Sequence, residues 1–252
     1  MNISLVIITY NEEKYIRGCI ESAKDIVQEV IVVDSYSEDK TTRIAASLGA
    51  RVIKRPFKGY ADQKNFAMEM ATGEWIISLD ADERLSEELK DEIRKRVGKE
   101  EYVAYFVPRK NYYLGEHLKC WSPDRIIRIV KKGRAKWTGL VHEKMRPEGK
   151  TGVMKNPIIH FPFENLMDQY EKNLKYARLI AQEKYQNGIR FKASYLFLRP
   201  ILNFLKHFIL KGCIKEGIRG LIFSLFYFSY TVFKYSFLYE LEKGDKKHGK
   251  NI

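Results

Sequence analysis

Two aspartates separated by one residue, Asp80 and Asp82, are the side chains in this sequence best suited to chemistry. They follow the apolar run Trp75–Leu79, which is typical of a buried strand, so both carboxylates should point the same way with Ala81 opposite. Adjacent carboxylates repel each other, and a hard divalent cation such as Mg²⁺ or Mn²⁺, usually shared with substrate phosphates, removes that repulsion. The triplet predicts a metal site, and the alternative is a pair of capping or turn aspartates.

The elements that would position these aspartates alternate regularly over the first hundred residues. Four apolar, β-branched runs predict buried strands, and they are Ile3–Thr9, Val30–Val33, Val52–Ile53 and Trp75–Leu79. Helical patterns separate them, and Ser86 resembles the N-cap of a further helix that reaches about Val97. This order predicts an α/β fold in which helices cover both faces of a parallel sheet.

Three polar clusters follow predicted strands, namely Thr9–Glu12, Asp34–Asp39 and Asp80–Glu83. Ligands of such sheets bind at the carboxyl ends of the strands, so we expect one shared site. Its binding candidates from the first cluster are Thr9, Tyr10, Asn11 and Glu12. Asp34 could accept hydrogen bonds from a ribose hydroxyl or a base N–H, and its alternative role is an Asx turn or helix cap.

Histidines and basic residues supply further candidates. His142 or His160 could add an imidazole to the metal, with His160 preferred, although a histidine between apolar runs can also be a hydrogen-bonded core residue. Four cations are candidate partners of a diphosphate, and the alternative for each is an ordinary surface charge. They are Lys64, Arg84, Arg125 and Arg128.

The pattern changes after about residue 101. Tyr102–Pro108 and Ile126–Val130 predict strands of a mixed or antiparallel extension, with an aromatic, charged loop over 111–125. Asn165–Tyr185 predicts an amphipathic helix. Its apolar stripe comprises Leu166, Tyr170, Leu174, Ala177 and Ala181.

The last quarter of the chain is basic and aromatic. The net charge of the whole chain is +13, and residues 190–252 hold 12 Lys or Arg against 4 Asp or Glu, a net of +8. The longest uncharged run, Gly220–Phe233, has 14 residues, whereas a spanning helix needs about 20, so no spanning helix is predicted. The composition of Tyr195–Leu241 instead favours helices in a membrane interface near anionic lipid; the alternative is core helices with snorkelling lysines.

Cysteines and the N-terminus bear on the compartment. Cys19, Cys120 and Cys213 are few, odd in number and far apart, which favours a reducing compartment over a disulfide scaffold. The chain starts without a basic segment, and its first apolar run is too short for a signal peptide. We therefore expect a cytoplasmic protein, or one peripheral on the inner face of the cell membrane.

Three N-terminal segments together resemble the motifs of family 2 glycosyltransferases. They are Ile7–Glu12, Val32–Ser35 and Trp75–Glu83, in that order and at matching spacing over about the first 100 residues. Three later segments resemble the narrower branch of glucosyltransferases that build the lipopolysaccharide inner core. They are Trp121–Arg125, Val141–Glu143 and Ile159–Phe161.

The resemblance implies a GT-A fold, a nucleotide-diphosphate sugar donor with UDP-glucose as the first candidate, and inversion at the anomeric carbon. It also implies that Thr9, Tyr10, Glu12 and Asp34 surround the base and ribose, while Asp80 and Asp82 serve the ribose and the metal. The catalytic base would be Glu143, because His142-Glu143 occupies the place of the family's acidic residue. The local sequence departs from the commoner Glu-Asp, and Asp124 is the alternative base.

The predicted organisation is a GT-A catalytic domain over 1–190, with a nucleotide-sugar-binding half over 1–100 and an acceptor-side half over 101–190. A basic, aromatic helical tail follows over 191–252 and directs the enzyme towards a lipid-linked glycan acceptor. Two other classes fit less well. A sugar-phosphate nucleotidyltransferase would need a glycine-rich basic loop after the first strand, where this chain has Thr9–Glu13. A non-catalytic membrane- or nucleic-acid-binding protein would not need three acidic clusters, which repel phosphate unless a metal intervenes, so no nucleic-acid partner is predicted.

Overall fold

The computed structural model describes residues 2–99, 101–122, 124–139 and 143–248. The strands are β1 Ile3–Thr9, β2 Glu29–Asp34, β3 Arg51–Lys54, β4 Trp75–Asp80, β5 Glu83–Leu85, β6 Ala104–Tyr113, β7 Glu116–His117, β8 Arg125–Lys131, β9 Ala135–Thr138, β10 Lys144–Pro147, β11 Thr151–Val153 and β12 Ile158–His160. The helices are α1 Ile16–Ala23, α2 Thr41–Ser47, α3 Tyr60–Met70, α4 Glu87–Arg96, α5 Leu166–Gln186, α6 Ser194–Leu205 and α7 Gly217–His248.

The chain forms two compact units. Unit 1 comprises Met1–Lys110 and Pro123–Phe161, and unit 2 comprises Asn111–Ser122 and Pro162–Ile252. The catalytic domain and tail predicted on either side of residue 190 follow a different division of the chain, and that boundary stays a prediction.

The parallel half of the unit 1 sheet has the strand order β3-β2-β1-β4. β1, β2 and β4 are buried on both faces, as their continuous apolar runs predict, whereas the residues of β3 are partly or fully exposed. Ile16, Ile20 and Leu89 belong to the core on one face, together with α2 residues, whereas Ala67 and Met68 of α3 belong to the core on the other. The predicted alternation of strands and helices, with helices on both faces, is therefore confirmed.

The other half of the sheet is mainly antiparallel, with one parallel pair between β6 and β11. β8 pairs antiparallel with both β4 and β6, and the β6–β8 ladder has an irregularity between Tyr105 and Phe106. This confirms the predicted extension and gives the mixed sheet flanked by helices that was expected for the fold class. Ser86 also caps α4 as predicted, since its Oγ accepts a hydrogen bond from the backbone N–H of Leu89 at 3.2 Å.

Unit 2 is mainly helical, with α6 and α7 confirming the predicted helical C-terminal segment. The side chain of Asn165 caps α5 by accepting from the N–H of Asp168 at 2.9 Å. Of the predicted α5 stripe, Ala177 and Ala181 are buried, but Leu166 and Tyr170 remain exposed at its N-terminal end.

The cysteines depart from expectation. Cys120 and Cys213, 93 residues apart in sequence, form a disulfide with a Cα–Cα distance of 5.0 Å, while Cys19 is a buried free thiol. The disulfide belongs to an apolar cluster that contains Tyr113, Leu118 and Phe223. The sequence did not predict this pair, because sequence spacing does not reveal which distant segments the fold brings together.

Within the described residues, one helical stretch, Cys213–Gly244, is long and apolar enough to cross a membrane. Core helices pass the same test, and this one has buried Phe223, Tyr235 and Leu238 side chains within unit 2. Length and composition alone therefore do not distinguish a spanning helix from a core helix here.

Candidate active site

The first two strand ends are joined by a buried polar contact in unit 1. Thr9 and Asp34 are register partners of β1 and β2, and Thr9 Oγ1 donates to Asp34 Oδ1 at 3.1 Å. The other oxygen of Asp34 accepts from the backbone N–H of Ser37 at 2.9 Å. Asp34 is fully buried, so this aspartate organises the loop after β2 in the manner of an Asx turn.

The loops after β1 and β2 are hydrogen-bonded to each other. Asn11 has a left-handed backbone with φ 56°, which asparagine tolerates better than most residues. Its N–H donates to Ser37 Oγ at 2.8 Å, and its Oδ1 accepts from the N–H of Glu38 at 2.9 Å. The N–H of Glu12 donates to Thr41 Oγ1 at 2.7 Å. The aromatic ring of Tyr10 remains exposed beside these interlocked loops.

Asp80 ends β4 between two cations. Its Oδ1 lies 2.8 Å from Lys64 Nζ, and its Oδ2 is paired with Arg128. Burial opposes ionisation of this carboxyl, but Arg128 and Lys64 outweigh it and hold the pKa of Asp80 well below its usual range. Asp80 is therefore a carboxylate under all ordinary conditions.

Glu83 stabilises the pairing of Asp80 with its two cations. It is fully buried, and its Oε2 accepts from the backbone N–H of Asp80 at 3.0 Å. Its Oε1 lies 2.8 Å from Arg128 and 3.2 Å from Arg109. Burial acts to lower the pKa of Arg128, but Asp80 and Glu83 reverse that effect and raise it above its ordinary value. Arg128 is thus a permanently charged, buried guanidinium.

Lys64 connects Asp80 to Glu143. Lys64 Nζ lies 2.8 Å from Glu143 Oε1 as well as from Asp80, and it sits 4.5 Å from the centre of the Trp137 ring. Asn65, next to Lys64 on α3, exchanges two hydrogen bonds with the backbone of Trp137, at 2.8 and 2.9 Å. This clamp positions the β9–β10 hairpin, whose second strand Glu143 directly precedes.

Two buried donors in this cluster have no hydrogen-bond acceptor among the residues that the structure describes. They are Nε of Arg128 and Nε1 of Trp137. The Arg128 guanidinium carbon lies 5.7 Å from the centre of the Trp137 ring. Buried donors without acceptors are uncommon in folded proteins, and a catalytic role is one explanation for them.

Asp124, the alternative base, has a different environment. Arg109 binds it in a forked geometry, with Nε and NH2 at 2.8 and 2.7 Å from Asp124 Oδ2. The same guanidinium contacts Glu83. Burial acts to lower the pKa of Arg109, but Glu83 and Asp124 outweigh it and raise the pKa of this guanidinium above its ordinary value.

Asp82 and His160 form a second pair of interacting side chains in the site. Asp82 Oδ2 lies 3.5 Å from His160 Nε2. Strand β12 places His160 opposite Glu83 of β5, and the N–H of Phe161 donates to the backbone oxygen of Asp82 at 3.0 Å. Ala81 is buried between the two aspartates.

The described residues supply some, but not all, of the ligands that a divalent cation needs. No group of three or more His, Cys, Asp or Glu side chains among the described residues could hold a metal by itself. Asp82 and His160 supply oxygen and nitrogen donors, whereas both Asp80 oxygens already contact cations. A Mg²⁺ or Mn²⁺ ion commonly takes its remaining ligands from substrate phosphates and water. His142 lies outside the described residues.

Of the four cations predicted to contact a diphosphate, Lys64 and Arg128 belong to the cluster around Asp80. Arg84 instead stacks on Phe161, 4.7 Å from the ring centre, and occupies the space beside Gly18. Arg125 is exposed at the start of β8. Lys64 and Arg128 are thus the two that lie next to the aspartates.

Sequence reasoning missed three members of the cluster. Glu83 was noted only as part of a motif, and Arg109 and Trp137 were not singled out. Arg109 comes from β6 and Trp137 from β9, and no local spacing in the sequence connects either of them to Asp80.

This arrangement gathers a candidate base, two buried cations and two aspartates at the carboxyl end of a parallel sheet. Such an edge can bind an anionic, phosphate-bearing ligand and move a proton next to it.

Comparisons with known proteins agree with this interpretation. The family described as "Glycosyl transferase family 2" matches residues 4–234. An uncharacterized glycosyltransferase of Rickettsia typhi is 32% identical over 89% of this chain and 82% of its own length. The lipopolysaccharide core biosynthesis glycosyltransferase LpsC of Rhizobium meliloti is 30% identical over 87% of this chain and 85% of its own.

Among solved structures, TarS of S. aureus superposes with a TM-score of 0.50 at 18% identity, covering 73% of this chain and 39% of TarS. This likeness concerns the fold, and it agrees with the predicted GT-A class. The match of the family over most of the chain decides the assignment: the chain is a glycosyltransferase and belongs to glycosyl transferase family 2.

Proposed function

We propose that this enzyme transfers a hexose, with glucose as the first candidate, from a UDP-sugar to a lipid-linked glycan such as the lipopolysaccharide core, with inversion at the anomeric carbon. The observation that carries the proposal is the chain of ion pairs from Glu143 through Lys64 to Asp80, because it sets a candidate base beside the strand end where a diphosphate would bind. The relative LpsC, named for lipopolysaccharide core biosynthesis, supports the acceptor class.

On the donor side, the interlocked loops after β1 and β2 would receive the nucleotide. Asp34 and Thr9 would contribute through the loop they fix, since their polar atoms already bind each other and Ser37. Asn11 and Glu12 hold the loops through backbone groups. The exposed ring of Tyr10 is the part of this edge that can stack on a base.

The diphosphate would lie against Lys64 and Arg128, next to Asp80 and the buried Ala81. The buried Arg128 Nε and Trp137 Nε1, which have no acceptor among the described residues, support an anionic partner on this side of the cluster. Asp82 and His160 would hold a Mg²⁺ or Mn²⁺ ion, which would neutralise charge on the leaving diphosphate. A metal-bound diphosphate would compete with Asp80 for Lys64.

Glu143 is the preferred base. It would accept the proton of the acceptor hydroxyl as that oxygen bonds to the anomeric carbon and the bond to the diphosphate breaks, so that the diphosphate leaves with the electron pair. Asp124 is less suited, because the fork of Arg109 occupies one of its carboxylate oxygens with two donors.

The acceptor would be held at a membrane. Residues 191–252 form the proposed tail, and exposed apolar side chains are concentrated in α6 and the segment that follows it. They include Phe197, Leu198, Ile201, Leu202, Ile209 and Leu210. From Arg190 to Lys215 the sequence contains six Lys or Arg and no Asp or Glu, so this surface is both apolar and basic. Such a surface suits a peripheral position on the anionic inner face of the cell membrane.

The proposal is tested by a donor screen followed by transfer assays. Nucleotide sugars are screened by thermal shift with Mn²⁺ or Mg²⁺, and the expected result is the largest rise in Tm with UDP-glucose. Glu143→Gln should then retain donor binding and lose transfer. Asp124→Asn removes the same charge as Glu143→Gln, and it should retain both donor binding and transfer.

Transfer by Glu143→Gln at the wild-type rate would exclude Glu143 as the base. If Asp124→Asn alone abolished transfer with donor binding intact, Asp124 would take that role. NMR of the glycoside product tests inversion separately, since retention of the donor's anomeric configuration would contradict the single displacement.

A further inference from the structure

Unit 2 contains a cavity of about 530 Å³ that the glycosyl-transfer site does not include. Its charged lining residues are Glu116, Lys119, Lys215, Glu216 and Arg219. Arg219 NH2 lies 2.9 Å from Glu116 and 3.8 Å from Glu216. Both carboxylates therefore share one guanidinium.

The two lysines of the cavity have no carboxylate partner among the described residues, and both are exposed. Three cations against two carboxylates leave the lining with a net charge of +1. A phosphodiester, which carries one negative charge, balances that lining, whereas a doubly charged phosphomonoester exceeds it. Ammonium groups are frequent phosphate ligands in proteins.

A disulfide holds the two lysine-bearing segments together. Cys120 follows Lys119 directly, Cys213 precedes Lys215 by two residues, and these cysteines form the unit 2 disulfide. The lysines thus belong to segments that pack on a common apolar cluster, and this packing does not require the cysteines to be oxidised. Because these segments are held in place before a ligand binds, they lose less conformational entropy on binding.

Exposed apolar residues lie next to two of the lining residues in the sequence. Ile214 and Ile218 flank the lining residues Lys215 and Arg219 in sequence, and they are 55% and 67% exposed, while Leu210 is 82% exposed. Large apolar side chains at this exposure, interleaved with cations, are typical of surfaces that enter the interface of an anionic bilayer.

We propose that this cavity binds the phosphodiester headgroup of a membrane lipid such as phosphatidylglycerol, with Lys119 and Lys215 contacting the phosphate and Leu210, Ile214 and Ile218 entering the acyl boundary. The inference rests on the proposed membrane role of the tail, and it adds a specific headgroup site to what would otherwise be general electrostatic attraction.

The experiment compares two double variants of equal charge in the full-length enzyme. Lys119→Gln/Lys215→Gln removes the cavity ammoniums, and Lys206→Gln/Lys211→Gln removes two lysines of the same unit that do not line the cavity. Binding is measured to phosphatidylcholine vesicles with and without phosphatidylglycerol, and by calorimetry to glycerophosphoglycerol, the headgroup without acyl chains. Inorganic phosphate serves as the free-phosphate probe.

Each lysine near an anionic surface contributes about fivefold to vesicle binding, so both double variants should bind phosphatidylglycerol vesicles more weakly than the wild type. The cavity variant alone should also lose binding of glycerophosphoglycerol, by about tenfold or more, with an unchanged Tm because both lysines are exposed. Wild-type binding of the soluble headgroup should exceed that of inorganic phosphate.

Equal binding of glycerophosphoglycerol by both double variants would refute the headgroup site. Tighter binding of inorganic phosphate than of the diester would assign the cavity to a soluble anion instead. If the wild-type enzyme does not bind phosphatidylglycerol vesicles, both the membrane role and this inference are wrong. Donor binding and transfer to a soluble acceptor fragment would still test the glycosyltransferase proposal independently.

Discussion

The ion pair between Lys64 and Glu143 makes a prediction that can be worked out from distances. The two charges are 2.8 Å apart, and the side chains are 4% and 16% exposed, respectively. Coulomb's law gives about 6 kcal/mol at an effective dielectric of 20 and about 1.5 kcal/mol in water. Desolvation of the two groups offsets several kcal/mol of the larger figure. We therefore expect a coupling energy of about 1–3 kcal/mol for this pair.

A double-mutant cycle of Lys64→Met and Glu143→Gln measures that coupling by urea unfolding. A Trp121→Phe background restricts the fluorescence change to Trp75 and Trp137, which are both in unit 1. The control cycle uses Lys131 and Glu74, which are 3.2 Å apart with side chains 45% and 57% exposed, and it should give less than about 0.5 kcal/mol.

Equal coupling in the two cycles would refute the reasoning, because burial would then add nothing to the Lys64–Glu143 pair. Lys64→Met alone should be costlier than Glu143→Gln alone, since it removes a cation from Asp80 as well. If a bound UDP-sugar abolishes the coupling, the diphosphate has drawn Lys64 away from Glu143, as the competition in the proposed site requires.

Three further predictions concern other parts of the chain. Asp82→Asn should bind UDP-glucose without the additional rise in Tm that Mn²⁺ gives the wild type, and an unchanged Mn²⁺ effect would remove Asp82 from the metal site. Arg109→Lys should destabilise the protein by about 2–3 kcal/mol despite keeping the charge, because one ammonium cannot reproduce the fork to Asp124 and the contact to Glu83. Burial, with Lys211 and Lys206, lowers the pKa of His207 to about 4 from 6.5, so its contribution to folding is complete above pH 6.5 and decreases as the pH falls towards 4. His207→Phe should therefore lose about 2–3 kcal/mol less stability than the wild type between pH 7 and pH 4, measured by urea titrations at each pH.

The sequence predicted the sheet well because its signal there is local. Continuous β-branched runs such as Ile3–Thr9 specify strands buried on both faces, and the polar residues after them are then placed at one edge by the geometry of parallel sheets. Each of Thr9, Asp34 and Asp80 could be placed from its own strand, without knowledge of the rest of the chain.

The parts that could not be predicted depend on contacts between distant segments. Arg109 meets Glu83 across 26 positions, and Lys64 meets Glu143 across 79, while both cations come from elements whose own sequences give no reason for burial. The Cys120–Cys213 disulfide spans 93 positions and was missed for the same reason. Local patterns specify an element and its exposed face, but only packing decides which charge lies opposite which.

The balance of charge in the cluster explains how a chain with acidic strand ends can accept a diphosphate. Asp80, Glu83, Asp124 and Glu143 would repel phosphate, but Lys64, Arg109 and Arg128 balance all but one of these charges in the absence of a ligand. A donor that brings its own cation can exchange partners with this network, so that the metal compensates the aspartates and the diphosphate takes the freed Lys64 or Arg128. Binding then costs little desolvation, because the buried charges remain paired before and after the exchange. The same argument requires that donor without metal binds weakly, since its two negative charges would then meet a network that already has one excess negative charge.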